Sequence, residues 1–172
     1  MTNVKIGNAE IPLGNLLLLI GGLVMIISIF LAWTQGVQIY TGKTFNVTGL
    51  DLISGKFSDA KDVSYVFLAK APLLVLIFGI ITLILAALPL FKVNMPAITI
   101  IGAIAALVGL IFAILFLTVG GTFDIFGDDK GAIRLLFALN EMKIQFGAYL
   151  GLIGALVATV GGVLNVIPMF KK

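Results

Sequence analysis

The sequence contains no cysteine and no histidine. Without cysteine the chain has no disulfide bonds, thiolate metal sites or cysteine nucleophiles. Without histidine it lacks the commonest metal ligand and the usual general base. Charge is scarce as well, because Asp, Glu, Lys and Arg together make up 11% of the 172 residues. These absences predict a protein that is not an enzyme and has no catalytic, cofactor-binding or metal-binding residues.

Apolar residues dominate the rest of the composition. The chain is 60% hydrophobic, with a mean hydropathy of +1.21, whereas soluble domains are about 45–50% apolar and about 25% charged. The net charge of +3 does not indicate a nucleic-acid partner, because the lysines are scattered singly apart from a terminal pair. We therefore predict an integral membrane protein that contacts membrane lipid and no nucleic acid.

Four apolar runs are long enough to cross a bilayer, which takes roughly 20 residues at about 1.5 Å rise each. None of the runs contains a charged residue, and they predict helices at residues 13–33, 71–91, 97–119 and 146–170. The first run is longer than the apolar core of a signal peptide and lacks a cleavage site followed by a soluble domain, so we expect a retained helix. The expected fold is an all-α, four-helix transmembrane bundle that forms one domain over residues 1–172.

The connections place two long loops on one side of the membrane, at residues 34–70 and 120–145, and a short turn on the other. The short-turn side has a net charge of +3, from four lysines against one glutamate: Lys5, Lys92, Lys171, Lys172 and Glu10. The long-loop side has seven basic and seven acidic residues. The positive-inside rule counts only Lys and Arg, so net charge is a weak guide. On this balance we expect a cell-membrane protein with both termini cytoplasmic and both long loops outside.

The first long loop has the pattern of a short β-hairpin. The segment GVQIYTGKTFNVTG alternates apolar and polar residues on either side of the turn sequence TGK. A two-stranded ribbon is marginal alone in water, so the second loop or the membrane surface is expected to cover its apolar face. Tyr40 and Phe45 are the candidate partner contacts, because large rigid rings anchor interfaces. Asn46 begins the sequence NVT and is a candidate glycosylation site.

The second long loop predicts a small amphipathic helix from about Asp129 to Met142, because DDKGAIRLLFALNEMKI carries an apolar stripe behind two acidic residues. Asp124, Asp128 and Asp129 also offer the oxygen ligands that Ca²⁺ prefers. Their spacing matches no calcium-binding loop, so a helix cap within a solvated loop is the favoured interpretation.

Small residues recur at four-residue spacing in the third and fourth helices, and in lipid such residues let helix backbones approach closely. The predicted packing residues are Gly102, Ala106, Gly109, Gly147, Gly151, Gly154, Ala158 and Gly162. Packing within one bundle is the main interpretation, and a surface for another subunit or a second copy stays open. Trp33, the only tryptophan, falls where the first helix meets the membrane interface and is predicted to be an interface anchor.

The overall plan resembles the claudin and peripheral-myelin-protein tetraspan family. A helix that ends in Trp33 precedes a larger β-type outer loop with a GL pair, a short inner turn and a smaller outer loop. Trp33 and TGLD at Thr48–Asp51 match part of that family's W…GLW signature, but the second tryptophan and both loop cysteines are absent. The plan also resembles that of a small uncharacterised archaeal or bacterial four-helix membrane protein. The resemblance implies a non-enzymatic protein that works by contacts through its outer loops.

Three functions remain open at this point. The first is a subunit of a membrane assembly or a cell-surface contact protein, which binds other membrane subunits or itself. The second is a small channel or carrier protomer that forms its path on oligomerisation. The third is a non-catalytic helical subunit of a membrane enzyme complex. Charge inside the membrane marks ion and proton pathways, and the apolar runs contain none, which argues against an ion-coupled pump.

Overall fold

The structure is a computed structural model that describes residues 3–6, 9–38, 43–54, 71–91, 95–121 and 139–170. It is mostly helical with a small sheet, as the sequence predicts. The strands are β1 (Asn3–Ile6), β2 (Ala9–Pro12), β3 (Ala32–Gln38), β4 (Thr44–Thr48) and β5 (Leu139–Ile144). The helices are α1 (Leu13–Ser28), α2 (Gly49–Ser54), α3 (Ala71–Ala87), α4 (Pro96–Gly121) and α5 (Phe146–Phe170).

Three helical segments are long and apolar enough to cross a membrane, namely Ala71–Phe91, Pro96–Thr118 and Phe146–Phe170. Helix α1 is also apolar but has only 16 residues. The four helices α1, α3, α4 and α5 pack as a ring in which α1 contacts α3 and α5, and α4 contacts the same two helices. The diagonal pairs barely touch. Large apolar side chains point away from the bundle, as Ile27 on α1 and Ile104 on α4 do.

The first helix is shorter than the predicted 13–33. It ends at Ser28, and three backbone amides then donate to carbonyls three residues earlier, from Ile29 to Leu31, in a tight last turn. The chain enters β3 at Ala32, so Trp33 belongs to a strand. Apolar composition alone does not mark this boundary, because strand pairing and the burial of Trp33 decide it.

Prolines mark the ends of two other helices. Helix α3 ends at Ala87, and a 3-10 turn follows at Leu88–Phe91. This end is expected because Pro89 has no backbone N–H to donate to the helix. Pro96 opens α4 at the position where a missing N–H costs nothing. Helix α5 has the predicted bounds, and Pro168 lies in its last turn.

The sheet has the antiparallel strand order β4–β3–β5. Strands β3 and β4 form the predicted hairpin, whose Ile39 and Tyr40 lie outside the described residues. The predicted helix from Asp129 to Met142 is wrong at its end, because residues 139–142 belong to β5, and the rest of it lies outside the described residues. Pairing with β3 satisfies the backbone N–H and C=O groups of this segment, which outweighs its helical pattern.

Two further elements have no counterpart in the predictions. Strands β1 and β2 form an antiparallel hairpin at the start of α1, with Val4 paired to Ile11 and Lys5 paired to Glu10. Helix α2 directly follows β4. We call the end of the bundle that carries β3, β4 and β5 the sheet end, and the end that carries β1 and β2 the hairpin end.

Candidate interaction surface

The three-stranded sheet has one face toward the bundle and one face away from it. Neighbouring residues across the strands share a face, and successive residues alternate between faces. The row Val47, Thr34 and Ile144 crosses all three strands on the bundle side. Val47 is 0% exposed, Thr34 is 2% exposed, and Ile144 packs against the bundle core. The sheet is therefore fixed to the helices by an apolar layer of its own.

The next row across the sheet faces away from the bundle and is polar. It consists of Asn46 on β4, Gln35 on β3 and Lys143 on β5, which are register partners. Asn46 and Lys143 are exposed and Gln35 is half-exposed. Gln145 at the start of α5 donates a side-chain hydrogen bond to the Gln35 amide oxygen at 3.4 Å. We call Asn46, Gln35 and Lys143 the polar row, and it brings together side chains from both long loops.

Trp33 joins the sheet to the bundle through a socket that three glycines leave open. Its side chain is fully buried. A Cβ atom added at Gly147 would lie 2.8 Å from the indole Cδ1, one at Gly151 would lie 3.2 Å from Cζ2, and one at Gly49 would lie 3.0 Å from Nε1. Any larger residue at these positions would push against the indole. The ring also meets Phe116 edge-on, with centroids 4.8 Å apart.

The socket also supplies partners for the carbonyl groups at the end of α1. The Trp33 indole Nε1 donates to the Ser28 carbonyl at 2.7 Å. The first amides of α2 donate to the same turn, from Leu50 to the Ile29 carbonyl at 3.0 Å and from Gly49 to the Leu31 carbonyl at 3.3 Å. The last carbonyls of a helix have no partner within the helix, so these bonds close the end of α1.

The TGLD sequence is a capping box that starts α2. The Asp51 carboxylate accepts hydrogen bonds from the Thr48 hydroxyl at 2.7 Å and the Thr48 amide at 3.2 Å. The Thr48 hydroxyl in turn accepts from the Asp51 amide at 3.1 Å. This reciprocal pattern satisfies two orphan donors at a helix start. The residues that carry the family resemblance thus have a local structural role here.

The predicted contact residues fall in different environments. Trp33 lies inside protein rather than on the lipid-facing surface, and its depth in a bilayer stays a prediction. Phe45 is half-buried and packs against the core on the bundle side of β4, which leaves little of its ring for a partner. Asn46 is exposed on the opposite side of the strand. Tyr40 lies outside the described residues.

The closest helix contact joins α1 to α5 over glycines. A Cβ atom at Gly154 would lie 2.8 Å from the backbone nitrogen of Met25 and 2.9 Å from the carbonyl oxygen of Gly21. One at Gly161 would lie 2.6 Å from the carbonyl oxygen of Gly14. The two backbones therefore touch, and we call this contact between α1 and α5 the glycine seam. Gly161 is absent from the predicted set, although it lies seven residues after Gly154 and so nearly on the same helix face.

The predicted residues of α4 pack less uniformly. A Cβ atom at Gly109 would collide with the end of the flexible Met25 side chain, whereas one at Gly102 would meet Leu85 at an ordinary 3.6 Å. Gly162 lies close to Ala103. Ala106 and Ala158 are both fully buried, in a cluster with Leu18 and Ala86. In the described parts of α4 and α5, the small residues after Ala97 point into the bundle or lie half-buried at its margin, and the exposed positions carry larger residues.

One polar pair lies inside the seam near the hairpin end. The Asn165 side-chain amide donates to the Asn15 side-chain oxygen, and both residues are buried, with exposures of 5% and 8%. The sequence shows both only as isolated polar interruptions of apolar runs, and nothing in their spacing pairs positions 150 residues apart. An interhelical polar bond of this kind is a recognised means of holding membrane helices together.

The acidic residues Asp124, Asp128 and Asp129 lie outside the described residues.

In comparison with known proteins, no family model, no curated protein and no solved structure matches this chain.

Proposed function

We propose that this chain is a non-catalytic, four-span membrane protein that acts through its outer sheet, as a subunit of a membrane assembly or as a cell-surface contact protein. The observation that carries the proposal is the polar row. Both long loops contribute a strand to one sheet, and that sheet turns Asn46, Gln35 and Lys143 away from the bundle. A rigid scaffold that presents loop residues is a common arrangement for binding.

Four spans are supported by the course of α1 along α5. Gly14 lies beside Asn165 at the hairpin end, and Ala32 lies beside Gly147 at the sheet end. The stretch of α5 between these contacts is about 27 Å long at 1.5 Å per residue, close to the roughly 30 Å of a hydrocarbon core. A segment that accompanies a spanning helix over this length crosses the same layer. The exposed side chains of α1 are also large and apolar, at Ile20, Leu23, Ile27 and Phe30.

The proposed orientation puts the hairpin end in the cytoplasm and the sheet outside. The argument is the net charge of +3 at the hairpin end, with lysines directly after the exposed Phe91 and Phe170. Under this orientation Asn46 is on the side where glycosylation of secreted chains takes place, and it is exposed.

The resemblance to the claudin and peripheral-myelin-protein plan is part of the same proposal. It is supported by the roles of Trp33, which holds the sheet on the bundle, and of Gly49, which leaves room for its indole.

A channel or carrier protomer is less favoured. Oligomerisation of membrane helices usually uses small residues on a free face, whereas the small residues of α5 point into this bundle or lie half-buried at its margin.

The test compares the two faces of the sheet in one assay. Native mass spectrometry from mild detergent measures which proteins stay bound to the chain expressed in its own membrane. We expect Asn46→Arg to abolish the complex, with the thermal midpoint of the chain unchanged, because the Asn46 side chain is exposed.

Val47→Ala is the matched control on the opposite face of β4. It removes buried methyl groups and is expected to lower the thermal midpoint, with the partner still bound by the intact fraction. Unchanged partner yield in the polar-row variant would contradict the proposal.

A further inference from the structure

The contact between α1 and α5 continues without a break into the contact between β3 and β5. Along this path the two residue numbers of each contacting pair add up to nearly the same value, as they do when two antiparallel segments keep one register. Asn15 meets Asn165, Gly21 meets Ala158, and Ser28 meets Gly151 within the helices. Thr34 then pairs with Ile144, and Gly36 with Met142, in the sheet.

The linkers between the helices and strands are too short to absorb a shift. Residues 29–31 alone separate α1 from β3, and the first amides of α2 donate to the Ile29 and Leu31 carbonyls. Gln145 alone separates β5 from α5, and its backbone N–H donates to the Trp33 carbonyl at 2.9 Å. Any sliding of α1 against α5 must therefore change which residues of β3 and β5 face each other.

We propose that the Asn15–Asn165 bond at the hairpin end sets the strand register of the polar row at the sheet end, about 30 Å away along α5. The glycines bring the backbones of α1 and α5 close together but do not fix how far one helix is shifted along the other. Backbone contact over small residues is compatible with more than one such shift. A directional bond between two buried amides singles out one position, as a buried asparagine does in coiled coils. Asn15 and Asn165 are positioning residues for the polar row.

The inference rests on the proposed function in giving the polar row a biological role, and on the proposed orientation in calling the hairpin end the inner end. A perturbation at the hairpin end, such as binding of a cytoplasmic factor that displaces Asn165, would reach the outer surface through this register. The row Asn46, Gln35 and Lys143 exists only when β3 and β5 face each other as they do here. This makes the seam a route by which the inner end regulates the outer contact surface.

Disulfide trapping tests the inference, because the chain has no native cysteine. One reporter carries Gln35→Cys and Lys143→Cys, which are register partners at the Cα separation that a disulfide needs. A second reporter carries Gln35→Cys and Glu141→Cys and reports a two-residue slip. The measurement is the ratio of the two initial rates of disulfide formation, read by mass spectrometry in bilayer nanodiscs.

The helix variant is Asn15→Leu with Asn165→Leu in both reporters. Replacing both partners by apolar groups leaves no unpaired polar atom, so the bundle is expected to keep its thermal midpoint. We expect the rate ratio to fall by roughly threefold, the preference that an ordinary interhelical hydrogen bond gives. Asn15→Ser, whose shorter side chain does not reach Asn165, gives the same fall and serves if the leucine pair does not fold.

Thr82→Val is the matched control, because Thr82 is a fully buried polar residue on α3 whose hydroxyl has no hydrogen-bond partner. It leaves the ratio unchanged. A ratio in the asparagine variants equal to that of Thr82→Val would overturn the inference. That result would not touch the proposed function, since the trapping needs no partner and the partner assay uses the unaltered seam.

Discussion

The Trp33 side chain and the Ser28 carbonyl are linked by a 2.7 Å hydrogen bond that joins the first strand of the sheet to the end of the first helix. Both residues are fully buried. Through this bond the Trp33 side chain both fills the core and caps the end of the helix, so it reinforces the apolar layer that attaches the sheet to the bundle.

We expect Trp33→Phe to lower the free energy of unfolding by about 1–2 kcal/mol, because phenylalanine keeps a ring but loses the bond to Ser28 and some volume. Trp33→Ala is expected to cost about 3–5 kcal/mol, because it empties the socket beside Phe116. Equilibrium unfolding in detergent measures both. Equal losses in the two variants would show that the hydrogen bond and the ring do not contribute separately.

Gly154→Ala is expected to destabilise the bundle by about 1–3 kcal/mol. The added methyl group would meet backbone atoms of Met25 and Gly21, which have no side-chain freedom with which to move away. Gly102→Ala is the control, since its methyl group would meet Leu85 at an ordinary distance and alanine favours a helix. Its thermal midpoint is expected to stay the same or rise. A Gly154→Ala protein as stable as wild type would refute backbone contact in the seam.

Thr48→Ala is expected to cost about 1 kcal/mol, because it removes the cap of α2 and one acceptor of the Asp51 amide. Thr44→Ala on the same strand is the matched control, because Thr44 is exposed and changes there stay within about 0.5 kcal/mol. Hydrogen exchange of the Leu50 amide, which bonds the Ile29 carbonyl, gives a local measurement. Protection of that amide should fall in Thr48→Ala alone.

Thr82→Val is expected to raise the thermal midpoint. Within the described residues, the Thr82 hydroxyl is the one buried side-chain polar atom without a hydrogen-bond partner, and such a group costs about 1–3 kcal/mol. Valine has nearly the same shape without the hydroxyl. Thr159→Val is a useful comparison, because the Thr159 hydroxyl donates to the Ala155 carbonyl at 2.8 Å. Removing this hydroxyl is therefore not expected to raise the thermal midpoint. A lower midpoint in Thr82→Val would mean that the hydroxyl has a partner in the membrane.

Single cysteines test the orientation, and none competes with them in this sequence. An impermeant thiol reagent added to intact cells is expected to label Ser54→Cys, which is exposed at the sheet end. Lys172→Cys is expected to react only after the membrane is permeabilised. The reverse pattern would place the sheet in the cytoplasm and make glycosylation at Asn46 impossible.

The sequence by itself determined the class of the protein and most of its helices. Apolar runs without charge predict spans directly, because the cost of burying charge and unpaired backbone in lipid leaves few alternatives. Helix α5 has its predicted bounds, Pro89 lies just past the end of α3, and alternation locates the hairpin of β3 and β4. These signals are local, so neighbouring residues are enough to read them.

The tertiary structure decided what depends on distant partners. The segment at residues 139–142 has a helical pattern but forms β5, because the open edge of β3 offers backbone hydrogen bonds. Helix α1 stops at Ser28 because Trp33 and α2 take up its last carbonyls. Asn15 and Asn165 look like two unrelated interruptions until the first and last helices pack together. Hydrogen-bond partners far apart in the chain leave no periodic trace in the sequence, and only the folded bundle brings them together.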